Sequence, residues 1–526
     1  MARHSTHFLI AFLIAGSALA QPVITSTQVV NSASYVTQGS PGSGIAQGSI
    51  FTIRGTGLGP YSMLQSSGLP LPDKLGTTTV TVTVGGKSVN AYLTLVYYGY
   101  QINALLPSNV PTGNGTVTVT YNNQTSAPEP VQVVSGSFAT YTWNQGGSGQ
   151  AIATDLNYNL NTIINAFHPG DWVILWGTGL GPIAGDDSNK PPVGNIGNPI
   201  VHIGNASLSP YYAGRSADYP GLDQVAFQIP SGISGCSVPV AVEINGQVSG
   251  TSLLAVSASG KTCTDSLIGQ DMVDKLVAGG TVNFGYIQLY AIVLRNSGAP
   301  DFAEATFSQF TPQTAGLASY GVSQGYCMTN QFSPDMSPAQ LDAGPSISLQ
   351  GPGTATVPAN YAGSGGYFMQ LNSNLLWSAE PYTLAGTGGS KVGAFTVNDT
   401  TNIPSAYLSG INVNQPLPRS SDLTVTWNGG DSNLQNGQLT IAGFSASSDA
   451  SVYGYFICTA PVAAKSFTIP KWVLGTLPPT GASQYGFPNG YIWAGQANKP
   501  VPFQATGLDK GIMVDEFFNG FPVYYQ

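Results

Sequence analysis

Over much of this chain apolar and polar residues alternate one for one in short runs, each closed by Gly, Pro or Asn. Thr77-Thr-Thr-Val-Thr-Val-Thr-Val84 is the plainest case. A period of two sends successive side chains to opposite faces, so such a run reads as a half-buried strand. Gly85-Gly86 then marks a hairpin turn, with its partner strand expected over residues 88–96. Gly115-Thr-Val-Thr-Val-Thr-Tyr121, Asn122-Asn123 and residues 125–134 predict a second hairpin. Residues 200–204 and 238–244 predict two more strands, the latter closed by Asn245-Gly246. Further on, strands are expected at 282–294, 367–371, 391–397, 423–427, 438–444, 452–458 and 511–517. The helical period shows once: Leu267, Ile268, Met272, Val273, Leu276 and Val277 recur at three- and four-residue steps. Thr264 or Asp265 could cap that helix, and Gly279-Gly280 stops it.

The pattern also repeats on a larger scale. Gly48-Ser-Ile-Phe-Thr-Ile-Arg-Gly-Thr-Gly-Leu-Gly-Pro60 returns as Gly170-Asp-Trp-Val-Ile-Leu-Trp-Gly-Thr-Gly-Leu-Gly-Pro182. Gln101 and Pro107 then match Gln224 and Pro230, with the offset changed by one residue. A strand running into a Gly-rich corner twice, in the same order of strands, implies duplication. About seven short strands per copy, with turns every ~8–12 residues, predict an immunoglobulin-like sandwich. The expected organisation is a leader over 1–20, one repeat over 21–135, a second over 136–264 and a larger β-rich domain with a leading helix over 265–526.

Val30-Asn-Ser-Ala-Ser-Tyr35, the Gly-Ser-Ile-Phe-Thr-Ile-Arg-Gly-Thr-Gly-Leu-Gly strand, Tyr100-Gln-Ile-Asn103 with Pro107, and the second Gly-Thr-Gly-Leu-Gly together resemble an uncharacterised paired-repeat domain. That domain occurs in exported proteins of Acidobacteria, Solibacter relatives among them, and each copy resembles the IPT/TIG class of immunoglobulin-like folds. The resemblance covers about residues 27–257 and implies no catalytic residue, because the family carries none.

Composition narrows the function. Charged residues are 7% of the chain, against a usual ~25%. With 66 Gly and 37 Pro this suits many short strands, and 42% hydrophobic residues suffice for a core, which argues against disorder. The net charge of −9 and 15 scattered Lys and Arg exclude a nucleic-acid partner, which needs clustered cations. The apolar run Phe8-Leu-Ile-Ala-Phe-Leu-Ile-Ala15, followed by Ala18-Leu-Ala20, reads as a secretory leader cleaved before Gln21. It is too short to span a bilayer, and no later run reaches the ~18 apolar residues of a transmembrane segment. Four cysteines in an exported chain favour two disulfides. Three pairings exist, and Cys236–Cys263 with Cys327–Cys458 keeps each bridge within one expected domain.

The candidate chemistry is thin. Beyond the leader, His168 and His202 are the histidines, and no H-E-x-x-H spacing occurs. Gly321-Val-Ser-Gln-Gly325 fits a nucleophile elbow, but no His follows Ser323. The Gly-Thr-Gly-Leu-Gly corners lead into Pro60 and Pro182, not into the helix N-terminus that a phosphate cradle needs. Asp155-Leu-Asn-Tyr-Asn-Leu-Asn161 begins like a calcium loop, yet Leu160 and Ala166 stand where Gly and an acid are required. Asp186 and Asp187 read as a solvated loop. Glycosidase carboxylates would have to come from Glu129, Glu243, Glu304, Glu380 and Glu516, none in a recognisable motif. Trp172 and Trp176 share a strand face with Ile174 and read as core or inter-domain packing; Trp427, Trp472 and Trp493 show no pattern.

The expectation is therefore an all-β protein, tandem immunoglobulin-like β-sandwiches followed by a larger β-sandwich domain. No catalytic, cofactor or metal residue is assigned. The expected role is that of a secreted or cell-surface adhesion or spacer module, its partner an extracellular polysaccharide or another surface protein. The alternatives are a carbohydrate-binding protein and a secreted hydrolase with its site in 265–526.

Overall fold

The computed structural model describes residues 21–526 apart from 266, 295–300, 316–321, 331–338, 352–356, 363–365, 372–375, 377–380, 400–405, 414, 435–436 and 485. The expected leader, Gly321 and Glu380 lie outside the described residues. The chain is all-β; among the described residues there is one helix of two turns, Gln270–Val277, with short helical turns at Val462–Ala464 and Lys471–Leu474. No helix among the described residues is long and apolar enough to cross a membrane.

The first unit is two facing sheets. One runs Val23–Asn31, Ile50–Thr56, Gln101–Leu105, Tyr92–Tyr97, Met63–Gln65; the other runs Ile45–Ala46, Glu129–Val134, Gly113–Tyr121, Thr78–Val84, Lys74–Leu75. The Thr/Val alternation does what a period of two requires. Val80, Val82 and Val84 enter a core with Phe51, Ile53, Ile102 and Val117, and the threonines between them face outward. The Gly85-Gly86 hairpin forms, but its second strand stops early. Lys87–Asn90 pairs with Thr78–Val84, and after the buried Ala91 the chain crosses to the opposite sheet as Tyr92–Tyr97. One sequence run thus serves two sheets, which alternation alone does not show.

The second unit repeats most of this topology, without counterparts of Met63–Gln65 and Lys74–Leu75. Its sheets run Ala139–Thr140, Trp172–Thr178, Asp223–Gln228, Tyr212–Arg215, and Gly149–Gln150, Ser252–Val256, Gly235–Ile244, Ile200–Ile203, Ala206–Leu208. Val173 and Leu175 point into its core. Trp172 and Trp176, expected in a core or interface, stand half-buried on the outer face instead. The reason is register: they alternate with Val173 and Leu175, and a sheet face admits only one parity.

The two units meet at the second Gly-rich corner. Asp223 accepts hydrogen bonds from the amides of Gly179 (2.7 Å) and Leu180 (2.8 Å) and is ion-paired with Arg215; both side chains are essentially inaccessible to water. Burial pushes the Asp223 carboxyl above its ordinary value, and the Arg215 guanidinium and these amides oppose that rise. Arg215 also donates to the carbonyls of Gly181 and Gly48, both at 2.6 Å, and Gly48 belongs to the first unit. Gly179 sits at φ +112°, and a Cβ there would come within 2.1 Å of the Ser137 carbonyl, so the corner requires glycine. Asp187 completes the joint. Expected in a solvated loop, it is buried and accepts from the amide and hydroxyl of Ser108, each at 2.7 Å.

The C-terminal half is built on one long sheet. From one edge its strands are Cys327–Asn330, Tyr453–Pro461, Gln438–Ala446, Gly490–Ala497, Lys510–Pro522, Val282–Leu294 and Phe302–Phe310, continuing through Gly366–Gln370, Val357–Ala362 and Ser346–Gln350 to Tyr382–Gly386 and Phe395–Asp399. The far strands fold back, so that Leu384, Phe395 and Val397 pack on Leu289, Phe307, Met513 and Phe517. A three-stranded sheet of Ala406–Ser409, Leu423–Gly429 and Ser466–Ile469 covers the rest of that face around the buried Trp427. The opposite face of the central strands turns toward the second unit.

The leading helix is shorter than its apolar pattern. Asp265 accepts from the amides of Leu267 (2.8 Å) and Ile268 (2.7 Å), which holds a turn in place of the first helical turn, and the helix starts only at Gln270. Its Met272, Val273 and Leu276 pack on Phe284, Ile512 and Val514 of the long sheet. Both expected disulfides form: Cys236–Cys263 fastens the segment after Ser252–Val256 to the strand Gly235–Ile244, and Cys327–Cys458 joins two residues directly opposite each other on adjacent strands.

Candidate binding groove

The free face of the long sheet carries a groove of about 1460 Å³. Its floor follows from residue size. Ala442 and Ala497 lie on that face, where larger side chains would otherwise fill the space. Larger rings stand around them. Tyr455, Phe444 and Tyr491 are in register on three successive strands. Trp493 lies one position further along, and Phe518 and Tyr290 stack with centroids 6.1 Å apart and planes 23° from parallel. The Phe518 ring packs over Gly495, where a Cβ would approach it to 2.4 Å. The far wall is the end of the second unit, Gly232 and Ser234 to Ser237, together with Asp265 and residues 322–326.

The polar centre is Glu516, which lines the groove but is only 7% exposed. Gln288 Nε2 donates to it at 2.6 Å, the Thr440 hydroxyl is hydrogen-bonded to it, and Tyr290 donates to the Gln288 carbonyl oxygen. Burial pushes the Glu516 carboxyl up to about 7, against the pull of these partners. On the neighbouring strand the exposed Glu304 stands opposite Gln288. The other carboxylate in the lining, Asp265, spends one oxygen on the amides described above.

A pH dependence follows. The folded carboxyl of Glu516 titrates above its ordinary 4.5, so the folded chain binds more protons between that value and about 7. This stabilising contribution is complete below the unfolded pKa and is lost as pH rises through about 7. At ~1.4 kcal/mol per pH unit the full shift is worth roughly 3 kcal/mol. E516Q replaces the protonated carboxyl with an amide and should remove the slope. Thermal unfolding from about pH 5 to pH 8 should therefore show the native protein losing stability relative to E516Q. Parallel profiles would mean that the folded carboxyl titrates where an exposed one does.

The residues singled out from sequence are scattered. Ser323 does not form an elbow: its hydroxyl accepts from the Ser237 amide at 3.1 Å and seats its segment on the second unit. His168 bonds Asp171 and the Gly260 carbonyl, closing a turn. His202 bonds Ser207 and Glu243 and stacks on Trp472 with centroids 4.8 Å apart, so it joins the second unit to the C-terminal half. Asp155 closes its own loop on Asn157 and Asn159. Among the described residues no three His, Cys, Asp or Glu side chains cluster as metal ligands would. Of the residues named from sequence, Trp493 and Glu516 line the sheet side of the groove, and Ser323 and Asp265 line its far wall. Glu516 went unrecognised there, although a signal was present: Asp515-Glu516 interrupts the apolar run Ile512-Met-Val514 and Phe517-Phe518, and adjacent acids in a strand point to opposite, buried faces.

No family model matches the chain, and no curated protein matches it. Among solved structures, domains 5–6 of the S-layer protein SbsC share 17% identity over 45% of this chain and 100% of that one, with a TM-score of 0.16. A Bacteroides ovatus protein of a mixed-linkage glucan utilization locus, SGBP-B, solved with a mixed-linkage heptasaccharide, shares 11% over 86% and 90%, with a TM-score of 0.15. The I9–I11 tandem of titin shares 9% over 66% and 92%, with a TM-score of 0.13. At such scores these likenesses carry no argument about what the groove does.

A second aromatic surface lies apart from it. Trp172 packs edge-on against the exposed Tyr211 at 5.4 Å, and Trp176 lies beside the exposed Tyr158 at 6.1 Å. The side chains in register with them, Gln228 and Gln224, are uncharged.

Proposed function

We propose that this chain is an exported, non-catalytic binding protein of the cell surface or extracellular space, and that its ligand occupies the groove of the C-terminal half. The two sandwiches act as a stem, which their buried Arg215–Asp223 joint stiffens. One observation carries the reading: a sheet face left low at Ala442 and Ala497 is ringed with aromatics around a buried polar centre. A core would fill that space, whereas a concave, largely apolar site with a few fixed polar groups is what ligands use. Two disulfides suit an oxidising compartment, and the resemblance to exported paired-repeat proteins supports the same address.

A hydrolase is the rival reading, because a carboxyl held protonated near neutrality can act as a general acid. Titration of the full chain with extracellular polymers and small solutes, read by tryptophan fluorescence, separates the two. A saturable change is expected with at least one solute, weakened tenfold or more in W493A, about 1.4 kcal/mol. The ligand should be recovered chemically intact. Recovery of cleaved ligand from the native protein but not from E516Q would establish the hydrolase instead.

A further inference from the structure

We infer that the groove binds an uncharged oligosaccharide chain, its sugar rings lying on Tyr491, Trp493 and the Tyr290–Phe518 pair and its hydroxyls meeting Gln288, Glu516 and Thr440. The inference rests on the groove being the ligand site.

Three features select this chemistry. The first is the pairing of ring faces with hydrogen-bonding edges. A pyranose presents apolar C–H faces and a rim of hydroxyls, so it needs aromatic surface beneath and mixed donors and acceptors beside it. The lining supplies both. Tyr455, Phe444 and Tyr491 stand on successive strands ~4.8 Å apart, making an aromatic shelf ~10 Å long. Gln288 and Glu516 are held in place by the Tyr290 and Thr440 hydroxyls, so their orientation is set before a ligand arrives.

Charge is the second. Among the described residues Lys499 is the sole cation of the lining, and Glu516 sits at its centre. A uronate or sulfated chain, or a nucleic acid, would bring anions against that carboxyl with almost nothing to pair them. A fatty acid or apolar peptide would cover the Gln288–Glu516 pair without replacing the hydrogen bonds that water gives it, a costly burial. A neutral polyol avoids both penalties.

The third is size. About 1460 Å³ exceeds the ~300–1,000 Å³ of ordinary small-molecule sites, so the groove suits a run of linked rings more than one monosaccharide. Its strands also place aromatics on both sides of the polar centre, Tyr491 and Trp493 on one and Tyr290 on the other.

Affinity electrophoresis and calorimetry on the full chain test this. The panel holds neutral glucans, galactomannan and xylan, an anionic pair of polygalacturonate and heparin, and oleate as an apolar probe. Binding to at least one neutral polysaccharide is expected. Its affinity should change less than twofold between about 0.05 and 0.5 M salt, because no charge pairs form. W493A and Y455A should each weaken it tenfold or more. Y455A replaces a half-exposed residue, so it reads the site even where W493A perturbs folding. W172A, on the second unit, should leave it unchanged. Binding of oleate alone, lost in W493A, would overturn the sugar and leave the groove as the ligand site. Neutral-glycan binding lost in W172A but intact in W493A and Y455A would overturn the placement of the sugar and the groove reading together. Binding confined to the anionic polymers, or to no polysaccharide, overturns the inference.

Discussion

D223A should lower the stability of the N-terminal half by about 3–5 kcal/mol, because it strands the Arg215 guanidinium in a site without water. R215A should cost a similar amount for the mirror reason. Buried ion pairs can often be exchanged for apolar side chains at little cost, but this one resists that exchange. Asp223 satisfies the amides of Gly179 and Leu180, and Arg215 satisfies the carbonyls of Gly48 and Gly181. An apolar pair would orphan all four backbone groups. The R215M/D223L double variant is therefore expected to lose about as much stability as either single variant, well short of the sum of the two, a strongly non-additive result. Because Gly48 lies in the first unit, the variants should also uncouple the sandwiches. Calorimetry should resolve an earlier transition, and limited proteolysis should cut between the units. Recovery of native stability in the double variant would show that apolar packing can replace the ion pair and that the four backbone groups do not depend on it.

The C327A/C458A variant is expected to lose about 5 kcal/mol. This bridge closes a loop of 131 residues, and on chain-entropy grounds the loss grows with loop length. The Cys236–Cys263 bridge spans 27 residues, so C236A/C263A should lose only about 3.5 kcal/mol. Location adds to the first figure. Cys327 begins a four-residue edge strand whose Thr329 bonds Thr251 of the second unit, and Cys458 lies opposite in the long sheet. Losing the bridge loosens both the sheet edge and the contact between domains. Denaturant unfolding of the two variants gives the order directly. Equal losses, or a larger one for the short bridge, would mean that native contacts outweigh loop entropy.

The groove stood partly in view in the sequence. The strands that build it were readable, Val282–Leu294 to the residue, because long apolar runs bounded by Gly have few other uses. Its aromatics were countable but not placeable. Trp493 and Trp172 look alike in a sequence, and only strand register sends one to the groove and the other to the outer face of the second unit. Glu516 belongs to the same class: its neighbours Gln288 and Thr440 lie far away in the chain, and the parallel and antiparallel pairings that collect them leave no local mark.

What the sequence by itself determined was the all-β class, the duplicated sandwich and its Gly-rich corner, and the shortage of catalytic histidine. Those are local or repeated properties: side-chain period, turn residues, composition. The tertiary structure alone decided that the second corner is a joint. Its glycines leave space and its amides point inward, but they need the carboxyl of Asp223 and, through Arg215, the carbonyl of Gly48. The first corner has no such partner. The position matching Asp223 is Tyr100, and the Leu58 amide bonds the Gly99 carbonyl instead. Two nearly identical sequences therefore do different work, because the residues that complete each corner come from distant strands that only the folded chain brings together.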